Sequence, residues 1–412
     1  MKLEVDRNRL LAEIEELATI SDAEPPAVTR IVFSPADGKA RAWLIARCEK
    51  SGLSVRQDPI GNIFARWNGA EVTAPAVGTG SHIDAIPNAG KYDGVVGVLG
   101  GLEAIRSLQR AGFRAKHSIE LLLFTSEEPT RFGIGCLGSR LLSGTISPDT
   151  ARKLIDKDGA LLEDVRSNAG LAGSLEEVKL RDGYYKAFVE LHIEQGPLLE
   201  REKIPLGIVT SIAAPASFRI TIEGTGGHAG GMLMPDRKDA LCAAAELILA
   251  VEDAAKTSGA VDTVATVGMC DVFPGAVNSI PSRVKLTLDL RDTSLNRREA
   301  VKREIDEARK NIAAKRQVAF REELANADAP ANCAPTIIEA LAQACTKHRF
   351  ESIRMVSRAY HDSLFMSRIA PVAMLFIPCR SGYSHRPDEY ASPEDIERGV
   401  LVLAETLATL AA

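Results

Sequence analysis

In the stretch Gly78–Gly94, GTGSHIDAIPNAGKYDG, His82 and Asp84 stand two apart. Residues two apart on extended chain point to the same side. Asp93 follows after a loop rich in Pro, Asn and Gly. The apolar run Ala74–Val77 reads as a buried strand. One imidazole and two carboxylates would then leave a strand end together, as a metal site requires. The plain alternative is a polar loop around one solvated histidine. Further along, Glu127 and Glu128 follow the apolar run SIELLLFT, His192 ends FVELHI, and His385 sits in SGYSHRP. His82, Asp93, Glu128, His192 and His385 together offer imidazoles and carboxylates. That mix suits zinc, manganese or cobalt rather than calcium, which takes oxygen alone. The set is too large for one catalytic ion that keeps an open position. It fits two ions sharing a carboxylate.

Adjacent side chains at a strand end diverge, so Glu127 and Glu128 cannot bind one ion in the same way. One can ligate while the other handles protons, its pKa raised by burial and like charge. An acidic turn is the plain reading of that pair. His117 and His348 stand in charged contexts and read as solvated. His228 in GTGGHAGG is either a turn residue or a functional one, Asn278 a turn former beside Pro281, and Arg291 a strand-end arginine.

The elements that must position these groups alternate. Helical period marks Arg7–Thr19, Ser34–Ser51 and Gly94–Gln109. Ser54–Gln57 and Asn62–Trp67 read as an edge hairpin, and Ala76–Ser81, Ser118–Thr125 and Phe188–Ile193 as buried strands. Strands alternating with helices indicate a mostly parallel α/β sheet, whose ligands gather at the carboxyl ends of the strands. From Ile212 the texture changes. Strands Ser217–Glu223, Thr263–Asp271, Arg283–Asp289 and Gln317–Glu323 interleave with helices Pro235–Ala254 and Leu295–Ala313. That order, β-α-β-β-α-β, is ferredoxin-like. The reading is therefore two domains: a catalytic α/β domain from 1–211 and 328–412, and an inserted α+β domain over 212–327. Ala325–Ala334 reads as a hinge linker, Pro335–His348 and Ser392–Leu410 as helices, and Val372–Ile377 as a core strand.

A chain of 412 residues with 45% hydrophobic and 25% charged residues has the make-up of a soluble globular protein. The net charge of -5 and the lack of a basic tract argue against nucleic-acid binding. No run is apolar and long enough to span a bilayer, and the charged N-terminus does not resemble a signal peptide. Seven widely spaced cysteines without a C-x-x-C suggest a reducing, cytoplasmic setting.

The ordered motifs G-x-G-S-H-x-D, D-G, T-S-E-E, L-H-I-E-Q-G, G-x-x-H-A-G, P-x-x-x-N-x-I-P, L-x-x-R-D and S-G-Y-S-H run through nearly the whole chain. Together they resemble the dinuclear metal amidohydrolases related to aminoacylase. The E-E-P-x-R-F and H-I-E-Q-G variants resemble the branch acting on ureido groups, which includes N-carbamoyl-L-amino-acid hydrolases, β-ureidopropionase, and allantoate and ureidoglycolate amidohydrolases. The resemblance implies that His82 and His192 bind one ion, Glu128 and His385 the other, and Asp93 bridges. Asp84 would hydrogen-bond the far nitrogen of His82, and Glu127 would be general base and acid. Gln195, Asn278 and Arg291 would bind substrate. His228 would reach a neighbouring subunit's site in a homodimer and stabilise the oxyanion, making the inserted domain both lid and dimer interface.

Two departures bear on the substrate. Many relatives carry a glutamine near Ile212–Phe218, where this chain has Ala-Ala-Pro-Ala; this speaks against allantoate or a carbamoyl amino acid held by that amide. Where many have G-A-G-H-D-A, this chain has Arg358-Ala-Tyr-His-Asp-Ser363, so His361 would contact substrate or support a ligand, and Tyr360 would shape a small pocket. The expected reaction is hydrolysis of (S)-ureidoglycolate to glyoxylate, ammonia and carbon dioxide with two divalent ions, manganese before zinc. The alternatives are N-carbamoyl-L-amino-acid or allantoate hydrolysis with the same machinery, a dipeptidase-like activity, and a binding protein without catalysis.

Overall fold

The computed structural model describes residues 2–412. The chain divides into two compact units, one of Met1–Thr210, Asn332–Ser357 and His361–Ala412, the other of Ser211–Ala331 with Arg358–Tyr360.

In the first unit four parallel strands form the centre of a larger sheet, in the order Val372–Ile377, Tyr185–Ile193, Ala76–Ser81 and Ile119–Leu123. Val372 lies beside Phe188, and Ser81 beside Leu123. These strands are apolar because both faces are covered, so they read as runs rather than as alternation. The flanks are antiparallel: Leu206–Ile212 on one side, Ile63–Trp67 and then Ser54–Gln57 on the other. The sheet is thus mixed, with a parallel centre, where the sequence suggested a mostly parallel one. On one flank the hairpin is the reason. A tight turn at 58–62 can join only antiparallel neighbours. The Asp58 carboxylate fixes that turn by accepting the N–H groups of Ile60, Gly61 and Asn62 at 3.1, 3.0 and 2.9 Å.

Helix Val95–Arg110 is buried continuously from Val95 to Leu108, and its stripe of Glu103, Arg106 and Arg110 is spent on ion pairs, Glu103 with Arg9 and Arg110, and Arg106 with Glu13. Helix Pro393–Ala411 packs beside it, and the Ser392 hydroxyl caps its N-terminus by accepting the Asp395 N–H at 3.0 Å.

The second unit holds a four-stranded antiparallel sheet in the order Val264–Phe273, Arg283–Asp292, Ala214–Glu223, Ala319–Ala327. The first and third strands in chain order are central, as a ferredoxin-like arrangement demands. Val284, Leu286, Leu288 and Leu290 alternate inward and meet Ala243, Leu247, Val251, Val301 and Ile305 of the two helices. Two expectations change here. The first helix begins at Ala240 rather than Pro235, because the Asp239 carboxylate accepts the N–H groups of Leu241 and Cys242 and so sets the cap. The alanine-rich stretch 325–334 is not a loose linker. Residues to Ala327 belong to a strand, Ala331–Asn332 forms a short one, and the Asp328 N–H is held by the Pro215 carbonyl at 3.1 Å.

All seven cysteines are free thiols; Cys242 and Cys270 are exposed and the other five buried. No helix among the described residues is long and apolar enough to cross a membrane.

Candidate active site

The central strands end in polar residues that are nonetheless buried. His82 follows Ala76–Ser81, Glu127 and Glu128 follow Ile119–Leu123, and His192 is the next-to-last residue of strand Tyr185–Ile193. His385 arrives on the loop before Pro393–Ala411 and is half exposed. Residues far apart in sequence meet because three neighbouring parallel strands finish on one edge of the sheet.

Asp93 is the hub. Its Oδ1 lies 3.2 Å from His192 Nε2 and 3.7 Å from His82 Nε2. Its Oδ2 lies 3.2 Å from His385 Nε2, which is itself 3.3 Å from Glu128 Oε1. The donor atoms form two triads sharing Asp93, His82–Asp93–His192 and Asp93–Glu128–His385, each within 4.8 Å. Ligands on one ion at ~2.1 Å stand roughly 3–4 Å apart, so both triads have the dimensions of a divalent-metal site. The imidazoles are set for it as well. Nδ1 of His82 faces the Asp84 carbonyl at 3.0 Å and Nδ1 of His192 the Ile193 carbonyl at 2.9 Å. A carbonyl only accepts, so Nδ1 carries a hydrogen, and Nε2 is the nitrogen turned inward, whose lone pair becomes available when the ring is neutral. Gly94, at φ +66°, leaves the room: a Cβ there would stand 2.5 Å from the His82 ring.

The electrostatics point the same way. Burial works against a charged His82, yet Glu127, Asp93 and Asp84 overcome it and hold its pKa well above normal. Burial pushes Asp93 up, but hydrogen bonds from His192, His385 and His82 leave it well below the usual carboxylate range. Asp93 and Glu128 raise His385 to about 11. Protonated imidazoles thus fill, among the carboxylates, the electrostatic place of dications. Glu127 differs. Burial, with Glu128, Asp362 and Asp93 nearby, pushes its pKa well above normal against the pull of His82. It lies 3.8 Å from His82 Nε2 and accepts the Cys136 thiol at 3.4 Å. It is a proton-avid carboxyl beside the cradle.

Three expected contacts turn out differently. The Asp84 carboxylate is 3.7 Å from the His82 ring, too far for a hydrogen bond; it accepts the Glu127 and Glu128 N–H groups at 3.2 and 3.1 Å instead. The strand ends at Ser81, and beyond it the Asp84 carbonyl rather than its side chain reaches the imidazole. Gln195 donates from Nε2 to Asp93 Oδ2 at 2.9 Å and to Ser384 Oγ at 3.2 Å, so its amide nitrogen faces the hub. Arg291, in the second unit, directs its guanidinium at Asp289, 2.6 Å from Nε, and lies 5.6 Å from the Tyr360 ring.

His361 is buried with its ring 4.5 Å from that of His192, and its donor atoms group with those of Glu190 and His192. In the second unit, His228 is exposed and pairs with Ser279 across a two-residue ladder, and the exposed Asn278 accepts the Ala229 N–H through its carbonyl. The sequence reading missed Cys136, Ser384 and Glu389. Cys136, at φ +56°, gives its N–H to the Glu127 carbonyl at 2.7 Å. Burial pushes Glu389 up to about 7, helped by Asp93. Its place four residues after His385 was the one available sign.

A family model for peptidase family M20/M25/M40 matches residues 78–409. The chain is similar to a ureidoglycolate hydrolase of Arabidopsis thaliana, 52% identical over 99% of this chain and 87% of that protein. It is also similar to an N-carbamoyl-L-amino-acid amidohydrolase of a Pseudomonas species, 36% identical over 98% of each. The crystal structure of AtUAH in complex with glyoxylate superposes with a TM-score of 0.90 at 51% identity, covering 99% of this chain and 98% of that one. The chain belongs to the M20/M25/M40 peptidase family, in company with relatives that are named hydrolases of ureido and carbamoyl compounds.

Proposed function

We propose that this chain is a two-metal amidohydrolase that cleaves the ureido C–N bond of (S)-ureidoglycolate, giving glyoxylate, ammonia and carbon dioxide in ureide nitrogen salvage. The observation that carries the chemistry is the pair of triads sharing Asp93 with a proton-avid Glu127 beside them. The substrate rests on the similarity to ureidoglycolate hydrolase and to AtUAH with glyoxylate.

His82 and His192 would hold one ion, Glu128 and His385 the other, and Asp93 both. Manganese is favoured, with zinc the alternative, since the ligand types serve either. Bound dications at such a site acidify water and polarise a carbonyl. Glu127 takes the proton of the attacking water and returns it to the departing nitrogen, work suited to a carboxyl of raised pKa. Gln195 keeps Asp93 in place from the far side. His228, presented by the second unit of a partner copy in a homodimer, would steady the developing oxyanion. That unit would act as lid, and Asn278 and Arg291 would meet the substrate's polar groups, Arg291 by leaving Asp289. His361 supports the His192 ring. The free thiols fit a cytoplasmic setting.

N-carbamoyl-L-amino-acid hydrolysis is the second reading, favoured by the Pseudomonas relative. Metal-reconstituted protein assayed for ammonia release on ureidoglycolate, allantoate and N-carbamoyl amino acids decides between them. Ureidoglycolate should show the highest kcat/KM; faster turnover of a carbamoyl amino acid would overturn the assignment.

A further inference from the structure

Asp93 can serve two ions only if its two oxygens stay fixed between two histidine groups that arrive on different loops. Something must hold the Asp93 loop and the His385 loop in register.

Glu389 stands where such a device belongs. It is buried, although it lies in the polar run Arg386–Tyr390. Its Oε1 accepts the backbone N–H of Tyr92 at 2.8 Å and that of Asp93 at 3.1 Å. Its Oε2 accepts the Ser384 hydroxyl at 2.8 Å, next in chain to His385. The same hydroxyl oxygen lies 2.8 Å from Asp93 Oδ2. One hydroxyl hydrogen serves two carboxylates, and Gln195 donates to the oxygen that carries it. Gly90 makes way for this arch, since a Cβ there would run into the Glu389 side chain. A carboxylate on two consecutive backbone N–H groups fixes both the height and the rotation of the peptide bearing them. Charge-assisted bonds of this kind are about twice as strong as neutral ones.

We propose that Glu389, acting with Ser384, is a positioning residue that clamps the Asp93 and His385 loops together so that Asp93 can bridge two cations. The proposal rests on the metal-centre reading given above. Glu389 touches neither cation nor substrate; it acts through Asp93. Removing it frees the Asp93 peptide to rotate and leaves Ser384 with a single carboxylate. Glu389→Gln keeps an acceptor for the two N–H groups, while its amide turns to a donor toward Ser384, whose hydroxyl can still serve Asp93.

The test is calorimetric titration of manganese or zinc into chelator-stripped protein, with the melting temperature of the stripped protein recorded alongside. Glu389→Ala should weaken metal binding by about 10- to 100-fold, the usual cost of losing a group that orients a ligand. The stripped protein's melting temperature should fall by a few degrees only, about 2–4 °C per kcal/mol lost. Glu389→Gln should recover affinity to within about threefold of the parent. Affinity unchanged in Glu389→Ala overturns the proposal. So does a fall in melting temperature with unchanged affinity, which marks plain packing. Should the alanine variant fail to fold, Ser384→Ala carries the test: a loss of about tenfold in affinity supports the clamp, and none overturns it. A parent protein that binds neither ion overturns the metal centre itself, and the clamp with it.

Discussion

Glu127 and Glu128 are neighbours in the chain with different company. Glu128 reaches His385 at 3.3 Å, while Glu127 meets the Cys136 thiol at 3.4 Å and stays 3.8 Å from His82. The divergence follows from their place just past a strand end, where the backbone of both is pinned by Asp84. Glu127→Gln preserves shape and one acceptor but removes the ability to take a proton. It should lower kcat by about 10²- to 10⁴-fold. Metal content, measured on the purified protein, should stay at the parent level. If activity and metal disappear together, Glu127 is a ligand and not a base. The candidate ligands were legible because histidines and acids flanked by Gly and Pro at the ends of apolar runs are conspicuous in type and place. Cys136 and Glu389 were not. In GIGCLGS a cysteine looks like another small packed residue, and in RPDEY one acid looks like the next. Their roles exist only once the fold has brought Glu127 and Asp93 to them.

At the scale of the element, the strand end that carries His82 is tied down by a buried arginine. Arg30 is 1% exposed and gives its guanidinium to the carbonyls of Leu17, Ile20 and Ile83 at 2.7, 3.0 and 2.7 Å. Ile83 lies between His82 and Asp84. Arg30 therefore joins the end of helix Arg7–Ala18 to the peptide that follows His82. Burial lowers its pKa to about 10, against the pull of Asp37 and Asp84, so it stays charged at neutral pH. Arg30→Ala orphans three buried carbonyls, and each lost bond to a charged donor costs about 1.5–3 kcal/mol, partly recovered by relaxation. The net loss should be about 3 kcal/mol, read as a lower denaturant midpoint for the first unfolding transition. An unchanged midpoint would mean that water replaces the guanidinium and the tie is idle. The elements themselves were legible from period and run length, from the parallel core to the β-α-β-β-α-β order. What pattern could not give was the direction of the flanking strands. Direction depends on turn length and on a carboxylate such as Asp58, not on hydrophobicity.

At the scale of the whole molecule, folding and cation binding act on the same groups in opposite senses, since the folded cradle holds protons that a cation must displace. In metal-stripped protein the cradle is held by charged histidines. His385, raised to about 11 from 6.5, contributes stability that is fully present below about 6.5 and is lost as pH rises toward 11. His82 and His192, also raised, act in the same sense. Asp93, held below its usual range, acts oppositely: its contribution is present above about 4 and is lost as pH falls further. Metal binding needs the same imidazoles neutral, so affinity strengthens as pH rises. A ligand that binds only the folded state adds stability in proportion to the logarithm of its concentration over Kd. The two trends diverge. The melting temperature of stripped protein should fall between pH 6.5 and 9 while that of protein in excess manganese holds, so the gap between them widens across this window. His385→Ala should flatten the slope of the stripped protein. A gap that stays constant from pH 6.5 to 9 would show that the histidines do not exchange protons for cations, and would remove the electrostatic basis for reading the two triads as a metal centre.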